Sequence, residues 1–398
     1  MSMLFLVLVD LRILHLSHEG LPDWRIEKSA ISASKLGHEI VFAGRKNAAV
    51  SYNRRIFLKI YEVSWTAKAR LGIPFYWHSV KKQVEKVVRD VKPDIVHAHN
   101  IFSARMISEF GVPFVYDDHE YCSRSSRLLT EMAEKLILRR TKTKGDIAKY
   151  IAVDLPTYVR RMFINRYAIR LWTNWEKELV SSTPTITVSN RIAEELRVIG
   201  NNTDKVFVVP NFPMKLEVQA LERPCFHTRL SSAYAGGDGH NKEKYPNKNI
   251  DGLTDTFTNY EIGHLTIIGW EGESSEKVRY TGFISRQAMY DEMSKHSIGL
   301  IPWKKHWSHV FTSPNKPYEY AHAGLFVMCT SCLKPILENL KENCVTFEDY
   351  NDLVSQLEYF KENLDDLYNK RLKIFEFARN NLIWENYEKS IFHAYQLC

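Results

Sequence analysis

The sequence lacks the features that define several large protein classes. Its 398 residues contain six cysteines, too few in a chain of this length for the disulfide framework of a small secreted domain. Cys329 and Cys332 form one C-x-x-C pair, and the sequence has no second pair at the spacing that a zinc site needs. We therefore expect reduced thiols and a cytoplasmic protein.

Long apolar runs are also missing. The first residues read MSMLFLVLVDLRILHL, where no basic segment precedes the apolar stretch. Asp10 and Arg12 interrupt this stretch well before the ~20 residues that a membrane span requires. We interpret it as two strands, at residues 4–9 and 12–16, and expect neither a signal peptide nor a transmembrane helix.

Charge of one sign is only mildly in excess, with a formal net charge of +7. That balance fits an anionic ligand or an anionic membrane surface and identifies neither. No recognised nucleic-acid-binding motif accompanies the charge, so we do not expect a nucleic-acid partner.

Strand-like and helix-like segments alternate through both halves of the chain. In the first half, LRILHL, HEIVFAG, DIVHAH and PFVYDDHE are typical of strands, and in the second half so are SSAYAGG, HLTIIGW and IGLIPW. Such alternation favours βαβ units and parallel sheets covered by helices. We predict the α/β class with two Rossmann-like domains at residues 1–212 and 213–380, and a further helix at 381–398. CVTFED and residues 352–381 are interpreted as helices.

Residues from about 125 to 178 break this alternation. The segment includes KLILRR and YVRRMFINRYAIRLWTNWEKE, which are basic with interleaved aromatic residues. One interpretation is an amphipathic helix that packs its apolar face on the first domain and leaves its basic face in water. The other is an interfacial helix whose cations meet anionic lipid headgroups.

A pair of glycines marks a candidate phosphate loop. Ligands of open α/β sheets bind beyond the carboxyl ends of the strands, and Gly236 and Gly237 follow the strand-like AYA. Glycines there let backbone amides approach a phosphate, and Lys248 lies where the next helix should begin. Glycine pairs are also common in ordinary turns, so the glycines alone do not distinguish a phosphate-binding loop from an ordinary turn.

The stretch SPNKPYEYAHAGLFVMCT contains a second candidate. Ser313 and Pro314 suit the start of a helix, which would place Lys316 in its first turn and Glu319 in the next. A lysine suits a phosphate, and a carboxylate suits two sugar hydroxyls. The alternative is a surface ion pair worth only about 0.2–0.5 kcal/mol.

These motifs together resemble those of a known family. SPNKPYEYAHAGLFVMCT resembles the P-x-K-x-x-E-Y motif of retaining, family-4-like glycosyltransferases with the GT-B fold, and AYAGG…KNIDGL resembles their phosphate loop. PDIVHAHN, PFVYDDHEY, TITVSNRIAEEL and KVFVVPNFP occur in the family's order. The resemblance covers nearly all of the chain except residues 1–10 and about 125–170. It implies two Rossmann-like domains that face each other across a cleft.

The resemblance implies roles for residues of the second domain. Glu319 would bind the ribose of a nucleotide-diphosphate sugar. Lys316 and Lys248 would face the diphosphate together with the amides of Gly236 and Gly237. The donor is a substrate, and the resemblance implies that neither a cofactor nor a metal is required.

Further roles follow from the same resemblance. Phe283 and Ile284 would lie against the base, although we expect Phe283 to be partly in the core. His119 would contact the transferred sugar or its phosphate, with Lys316 and Glu319 as the other catalytic residues. Gly20 and Arg25 would complete the phosphate or acceptor side.

Some neighbouring residues are given structural roles. Asp117 and Asp118 are expected to make structural hydrogen bonds, and His97 and His99 are expected to point to opposite faces of their strand. Asn211 would lie at the hinge, and the helix at 381–398 would cross back to the first domain, as in the family.

Two departures from the family keep alternatives open. Phe311 stands where many relatives have a second glutamate, and Asp238 stands where many have arginine. The resemblance implies transfer of a sugar to a glycan or lipid-linked acceptor, at the inner face of a membrane if the basic segment binds anionic lipid. A nucleotide-sugar epimerase and a non-catalytic binding subunit are the alternatives.

Overall fold

The computed structural model divides the chain into two compact units. Unit 1 comprises Met1–Pro210 together with Tyr387–Cys398, and unit 2 comprises Asn211–Asn386. The structure describes residues 10–46, 54–66, 70–128, 131, 155–202, 204–236 and 246–398. The strand expected at 4–9 and the first part of the basic segment lie outside these residues, as do Gly237 and Asp238.

Unit 1 contains a parallel sheet of seven strands. Their order is β3-β2-β1-β4-β5-β6-β7, and every neighbouring pair is parallel. The strands are β1 (Arg12–Ser17), β2 (Glu39–Gly44), β3 (Lys59–Glu62), β4 (Ile95–His99), β5 (Phe114–Asp118), β6 (Thr185–Thr187) and β7 (Val206–Val208). Strands β1 and β4 are buried along most of their length, as expected of a sheet covered on both faces.

The helices of unit 1 connect these strands. Those described are α1 (Trp24–Ser34), α2 (Pro74–Val91), α3 (Asn100–Ile107), α4 (Cys122–Ser125), α5 (Leu155–Ser182), α6 (Asn190–Gly200) and, from the end of the chain, α14 (Glu388–Gln396). Helix α2 shows why they form. It begins with Pro74, and its four buried valines, Val80, Val84, Val87 and Val91, recur at helical spacing. They give α2 one apolar stripe.

Unit 2 contains a second parallel sheet, of six strands. Their order is β10-β9-β8-β11-β12-β13. The strands are β8 (Ser231–Ala235), β9 (His264–Ile268), β10 (Val278–Tyr280), β11 (Ile298–Ile301), β12 (Phe326–Thr330) and β13 (Cys344–Phe347). Strands β11 and β12 are buried at every position, which places them in the centre of the unit.

The described helices of unit 2 cover this sheet. They are α7 (Lys215–Val218), α8 (Leu253–Asn259), α9 (Arg286–Met293), α10 (Lys316–His322), α11 (Lys334–Leu340), α12 (Tyr350–Glu362) and α13 (Leu364–Asn381). Single-turn 3₁₀ helices occur in both units, at Arg54–Ile56, Pro246–Lys248, Trp307–Val310, Lys341–Asn343 and Trp384–Tyr387.

The structure corrects several expected boundaries. CVTFED is not helical, because Cys344–Phe347 forms strand β13 beside β12. The long helix expected at 352–381 is two helices that meet at Asn363. Helix α10 begins at Lys316 and its N-cap residue is Asn315. The prediction that Ser313 is the N-cap residue is therefore wrong. Helix α10 ends where Gly324 adopts a positive φ of 75° and leads directly into β12.

Candidate functional site

The order of the strands in unit 2 reverses between β8 and β11, and ligands of doubly wound sheets bind at such a point. Gly236 follows β8 directly, with φ of 114°. A Cβ atom at Gly236 would lie 2.6 Å from Cε and 2.7 Å from Nζ of Lys316. The ammonium group therefore lies against the backbone at the end of β8, and only a glycine leaves room for it.

Two aromatic rings hold this lysine. Its Nζ lies 5.5 Å from the ring centroid of Tyr234 and 5.2 Å from that of Trp303, both within the range of cation–π attraction. Trp303 Nε1 donates a hydrogen bond of 3.1 Å to the hydroxyl of Tyr234. Because both rings are fully buried, they provide a fixed support for the Lys316 ammonium.

Glu319 is buried and held by an arginine that the sequence did not indicate. Arg286 Nη1 donates to Glu319 Oε1 at 3.0 Å, and Arg286 Nε donates to Glu217 Oε1 at 2.8 Å. The backbone N–H of Met214 donates to the other Glu217 oxygen at 2.7 Å. Two carboxylates thus share one guanidinium, and the position of Glu319 is fixed from the first turn of α9.

The remaining predicted donor residues that the structure describes lie on loops of the same unit. Phe283 is 86% exposed, so the expectation that its ring is partly in the core is wrong. It lies between Gly282, with φ of 66°, and Ser285, whose hydroxyl caps α9 by accepting from Ala288 N–H. Ile284 is half-buried, and the half-buried Lys248 ends the 3₁₀ turn Pro246–Lys248.

The strand order of unit 1 reverses between β1 and β4. His15 is in register with His97 across β1 and β4, and His99 is in register with Asp117 across β4 and β5. The imidazoles of His97 and His99 stack with centroids 4.4 Å apart. The expectation that they point to opposite faces is wrong, because residues two apart in a strand share a face.

Asp117 lies at the centre of this cluster. Arg25 donates to it from Nη2 at 2.8 Å and from Nε at 3.0 and 3.1 Å. Burial alone would raise the pKa of Asp117, but the charges of Arg25 and His119 outweigh it and hold the pKa well below its ordinary value. The carboxylate is therefore ionised at neutral pH and can only accept hydrogen bonds.

This ionised carboxylate fixes the tautomers of its neighbours. His97 Nε2 lies 3.1 Å and His119 Nε2 lies 3.3 Å from Asp117 Oδ2, so both nitrogens carry a proton. His97 Nδ1 then accepts from the hydroxyl of Tyr395 at 2.8 Å. The C-terminal helix α14, which belongs to unit 1, supplies that hydroxyl.

The tautomer of the deeper His99 is assigned from its hydrogen bonds in the same way. His119 Nε2–H also lies 3.1 Å from His99 Nδ1, so His99 carries its proton on Nε2 and donates to His15 Nδ1 at 2.9 Å. Burial lowers the pKa of His15, His97 and His99, which keeps all three neutral. His119 is the most exposed of the four, with 12% of its side chain accessible.

Gly20 and Arg25 have packing roles that the sequence did not indicate. Arg25 is 5% exposed, and its guanidinium donates to Asp117 and to the carbonyl oxygen of Val209. A Cβ at Gly20 would lie 2.8 Å from the carbonyl oxygen of Lys46, so a glycine lets the loops after β1 and β2 approach each other.

Helix α5 also carries a buried carboxyl group, Glu176, which bonds α4 and acts electrostatically on Asp118 of β5. Glu176 accepts from the backbone N–H of Ser123 at 3.2 Å and from the Ser123 hydroxyl. Burial raises the pKa of Glu176 to about 7, and burial and Glu176 raise the pKa of Asp118 well above its ordinary value. Burial therefore favours the protonated form of both carboxyl groups.

Comparisons with known proteins give a family match for part of the chain. Residues 30–212 match the family described as Glycosyltransferase Family 4. None of the curated proteins matches the sequence significantly. Among the residues that the structure describes, no helix combines the length and the apolar character that crossing a membrane would require.

Solved structures resemble the chain over almost its full length. HepE of Anabaena, solved with UDP-glucose, has a TM-score of 0.67 at 11% identity, over 98% of this chain and 100% of HepE. WaaG, a glycosyltransferase involved in lipopolysaccharide biosynthesis, has a TM-score of 0.56 at 12% identity, over 97% of this chain and 99% of WaaG. A Listeria monocytogenes protein described as a putative UDP-N-acetylglucosamine 2-epimerase has a TM-score of 0.53 at 10% identity, over 97% of this chain and 95% of that protein. The chain therefore has the GT-B fold, and its residues 30–212 match Glycosyltransferase Family 4.

Proposed function

We propose that this protein is a glycosyltransferase that moves a sugar from a nucleotide-diphosphate sugar to an acceptor hydroxyl, with retention of the anomeric configuration. The observation that carries the proposal is the position of Lys316, whose ammonium group lies against Gly236 at the end of β8. Glu319 follows one turn later and is fixed by Arg286. A cation beside a glycine loop suits a diphosphate, and a fixed carboxylate suits the ribose hydroxyls.

The chemistry needs stabilisation of a leaving group. Breaking the anomeric C–O bond leaves negative charge on the diphosphate, and a preorganised ammonium group stabilises that charge more in the transition state than in the ground state. Lys316 is preorganised because Tyr234 and Trp303 support it. His119 would contact the transferred sugar, with its tautomer set by Asp117.

Retention distinguishes the proposed mechanism from an inverting one. We propose a front-face reaction, in which the leaving phosphate itself takes the proton of the acceptor hydroxyl. NMR of the newly formed linkage should show the same anomeric configuration as the donor, and an inverted product would rule this mechanism out.

The first donors to test are uridine diphosphate sugars, because HepE was solved with UDP-glucose. A thermal-shift panel of nucleotides and nucleotide-sugars should raise the melting temperature of the wild type, since a ligand that binds only the folded state stabilises it. Lys316→Ala should abolish most of that shift and raise the donor KM, whereas Lys295→Ala, which removes an exposed lysine of the same unit, should change neither. A full shift in Lys316→Ala would contradict the donor site.

The second candidate function is that of a nucleotide-sugar epimerase. The observation that favours it is the fold shared with the Listeria monocytogenes protein. An epimerase would convert the nucleotide-sugar without any acceptor, whereas the transferase needs one. Incubation of the protein with the donor alone, followed by chromatography of the nucleotide-sugar, separates the two. Failure of every nucleotide to bind would instead favour a non-catalytic binding subunit.

A glycan or lipid-linked acceptor at the inner face of a membrane fits a surface of unit 1. On α5, Phe163 is 70% and Tyr167 is 60% exposed, and Phe75 at the start of α2 is 76% exposed. A Cβ at Gly72 would lie 3.5 Å from the Tyr167 ring, so the loop before α2 lies against α5. Sedimentation with vesicles should show binding to anionic but not neutral lipid, and replacing Phe163 and Tyr167 with serine should weaken it.

A further inference from the structure

A cysteine and a histidine of unit 2 form a hydrogen-bonded pair that the proposed function does not use. Cys332 lies between β12 and α11, and its Sγ is 3.1 Å from Nδ1 of His309, in the 3₁₀ turn Trp307–Val310. On the other side of the ring, His309 Nε2 is hydrogen-bonded to the backbone carbonyl oxygen of Asn247. A carbonyl oxygen can only accept, so Nε2 carries the proton and Nδ1 presents its lone pair to the thiol.

This arrangement has the form of an activated nucleophile, in which the base lies within hydrogen-bond reach and a third group orients the base. His309 is fully buried, and burial lowers the pKa of its ring to about 4, so the ring is neutral and can take up a proton. The thiolate that forms on reaction is an opposite charge beside the ring, and it favours the protonated imidazole. His309 can therefore serve as the base for the Cys332 thiol.

Other thiols of the chain have different surroundings. Cys344 and Cys398 donate to backbone carbonyl oxygens at 3.5 and 3.4 Å, and a carbonyl oxygen does not act as a base for a thiol. Cys329 is completely buried, whereas Cys332 is half-buried and within reach of a small reagent. Cys332 thus combines access with a base.

A cation lies near this thiol. Glu348 is the main cause that raises the pKa of Lys305, and Cys332 raises it further. The side chains of Lys305 and Cys332 are therefore close enough to interact electrostatically. An ammonium group beside a cysteine stabilises its thiolate, and it also favours an anionic reagent.

We propose that Cys332 is a thiol-modification site that reacts with a small anionic disulfide, of which glutathione disulfide is the representative, and that the adduct weakens donor binding. Sγ of Cys332 attacks one sulfur of the disulfide, whose S–S bond breaks as the new S–S bond to Cys332 forms. The thiol proton passes through His309 Nδ1 to the departing thiolate. Cys332 is oxidised and the disulfide is reduced, so no further oxidant is needed.

The effect on donor binding rests on the proposed function, and one link to it runs through the backbone. Asn247, whose carbonyl oxygen holds the His309 ring, directly precedes Lys248 in the 3₁₀ turn Pro246–Lys248. Lys248 is predicted to face the diphosphate. Displacement of His309 would remove the hydrogen bond that holds this turn.

A second link reaches Lys316. The rings of His309 and Trp303 lie with centroids 6.0 Å apart, and Trp303 supports the Lys316 ammonium. Thr330 Oγ1, which lies 3.7 Å from Cys332 Sγ, donates to the carbonyl oxygen of Trp303 at 2.9 Å. An adduct at Cys332 should therefore disturb both lysines that are predicted to face the diphosphate.

The site is tested on the full chain, reduced and then treated with glutathione disulfide. Peptide mapping by mass spectrometry should find Cys332 modified first. Cys332→Ser should remove this adduct, whereas Cys225→Ser, at an exposed thiol, should keep it. His309→Gln should slow the reaction roughly 10-fold, because only a few per cent of an ordinary thiol is ionised at neutral pH. Cys332→Ser changes a single atom and locates the adduct even where His309→Gln destabilises the fold.

Nucleotide-induced thermal shifts test the effect on donor binding. The modified wild type should show a smaller shift than the reduced wild type, and a reducing dithiol should restore the full shift. In Cys332→Ser, treatment with glutathione disulfide should leave the shift unchanged.

The proposal is overturned if another thiol such as Cys225 is modified first, if folded His309→Gln reacts at the wild-type rate, or if the modified wild type keeps its full nucleotide shift. A normal nucleotide shift without an adduct at Cys332 refutes the thiol site alone. If the reduced wild type shows no nucleotide shift but is modified first at Cys332, the donor site and its link to the thiol are refuted and the thiol site stands.

Discussion

The two candidate sites occupy equivalent places in their sheets but are built differently. In unit 1, the charged groups satisfy one another, since Asp117 accepts from Arg25, His97 and His119. In unit 2, Glu319 is likewise held by Arg286, but the Lys316 ammonium lies against Gly236, where the backbone carries no side chain. The buried network of unit 1 is expected to contribute mainly to stability, whereas the proposed role of Lys316 is to bind the donor diphosphate. Substitutions in the Asp117 network should therefore mainly change stability, and those beside Lys316 should also change nucleotide binding.

The largest effect is expected at Asp117. Asp117→Asn leaves the Arg25 guanidinium buried without its carboxylate, and breaking a buried ion pair in this way costs about 3–5 kcal/mol. Urea unfolding of the variant and the wild type measures the loss. As a matched control, Glu39→Gln breaks the exposed pair with Arg12 and should cost less than about 1 kcal/mol. Equal losses in the two variants would contradict the comparison.

The second effect concerns pH. Burial raises the pKa of Glu176 from 4.5 to about 7, so between these two pH values the folded state keeps a proton that the unfolded state has already released. By linkage, the wild type should lose stability on the order of 3 kcal/mol over that window. Glu176→Gln has no proton to lose and should lessen this decline, as measured by melting temperatures at pH 5 and 8.

The control for this variant lies on the same helix. Glu178→Gln changes an exposed glutamate whose partner is Arg105, and its pH dependence should follow that of the wild type. An unchanged decline in Glu176→Gln would show that the pair with Asp118 does not determine the pH dependence.

The third effect tests unit 2. Gly236→Ala should displace the Lys316 side chain and strain a backbone with φ of 114°, at a cost of about 1–3 kcal/mol. The nucleotide-induced thermal shift should largely disappear. Gly111→Ala is the control, because its φ is 67° and nothing lies within 4 Å of the added Cβ. It should show backbone strain with a normal nucleotide shift, and loss of the shift in both variants would contradict a local effect.

The smallest effect is expected at Phe283. If its exposed ring stacks on the base, Phe283→Ala should weaken donor binding by about 0.5–1.5 kcal/mol, roughly 2–12-fold, without changing the melting temperature. Phe226→Ala, where the ring packs against Tyr368, should do the opposite and lower stability alone. Isothermal titration with the donor separates the two variants. Normal affinity in Phe283→Ala would contradict the proposed contact between the Phe283 ring and the base.

Much of the fold could be predicted because its strands and helices have clear periodic patterns. The regular spacing of valines in α2 is one example, and the continuous apolar run of β12 is another. The edge strand Lys59–Glu62 was missed because it is only half-buried and has no apolar run. The break at Asn363 was missed because neither glycine nor proline marks it.

The site was predicted less completely, for a physical reason. Lys316 and Glu319 belong to a recognisable motif, but the contacts of Arg286 with Glu217 and Glu319 join segments far apart in sequence. Arg25 was predicted on the phosphate or acceptor side, which stays a prediction, and the structure adds a buried ion pair with Asp117 that the resemblance does not indicate. Local patterns indicate which residues carry charge, and the fold decides which charges meet.

The return of the chain to unit 1 has a consequence for synthesis. Unit 2 is one continuous segment, whereas unit 1 is completed only by Tyr387–Cys398. The ribosome therefore finishes all of unit 2 before Tyr395 can reach His97. The first unit to emerge is therefore completed after the second, because His97 gains its hydrogen bond with Tyr395 only once unit 2 has been synthesised.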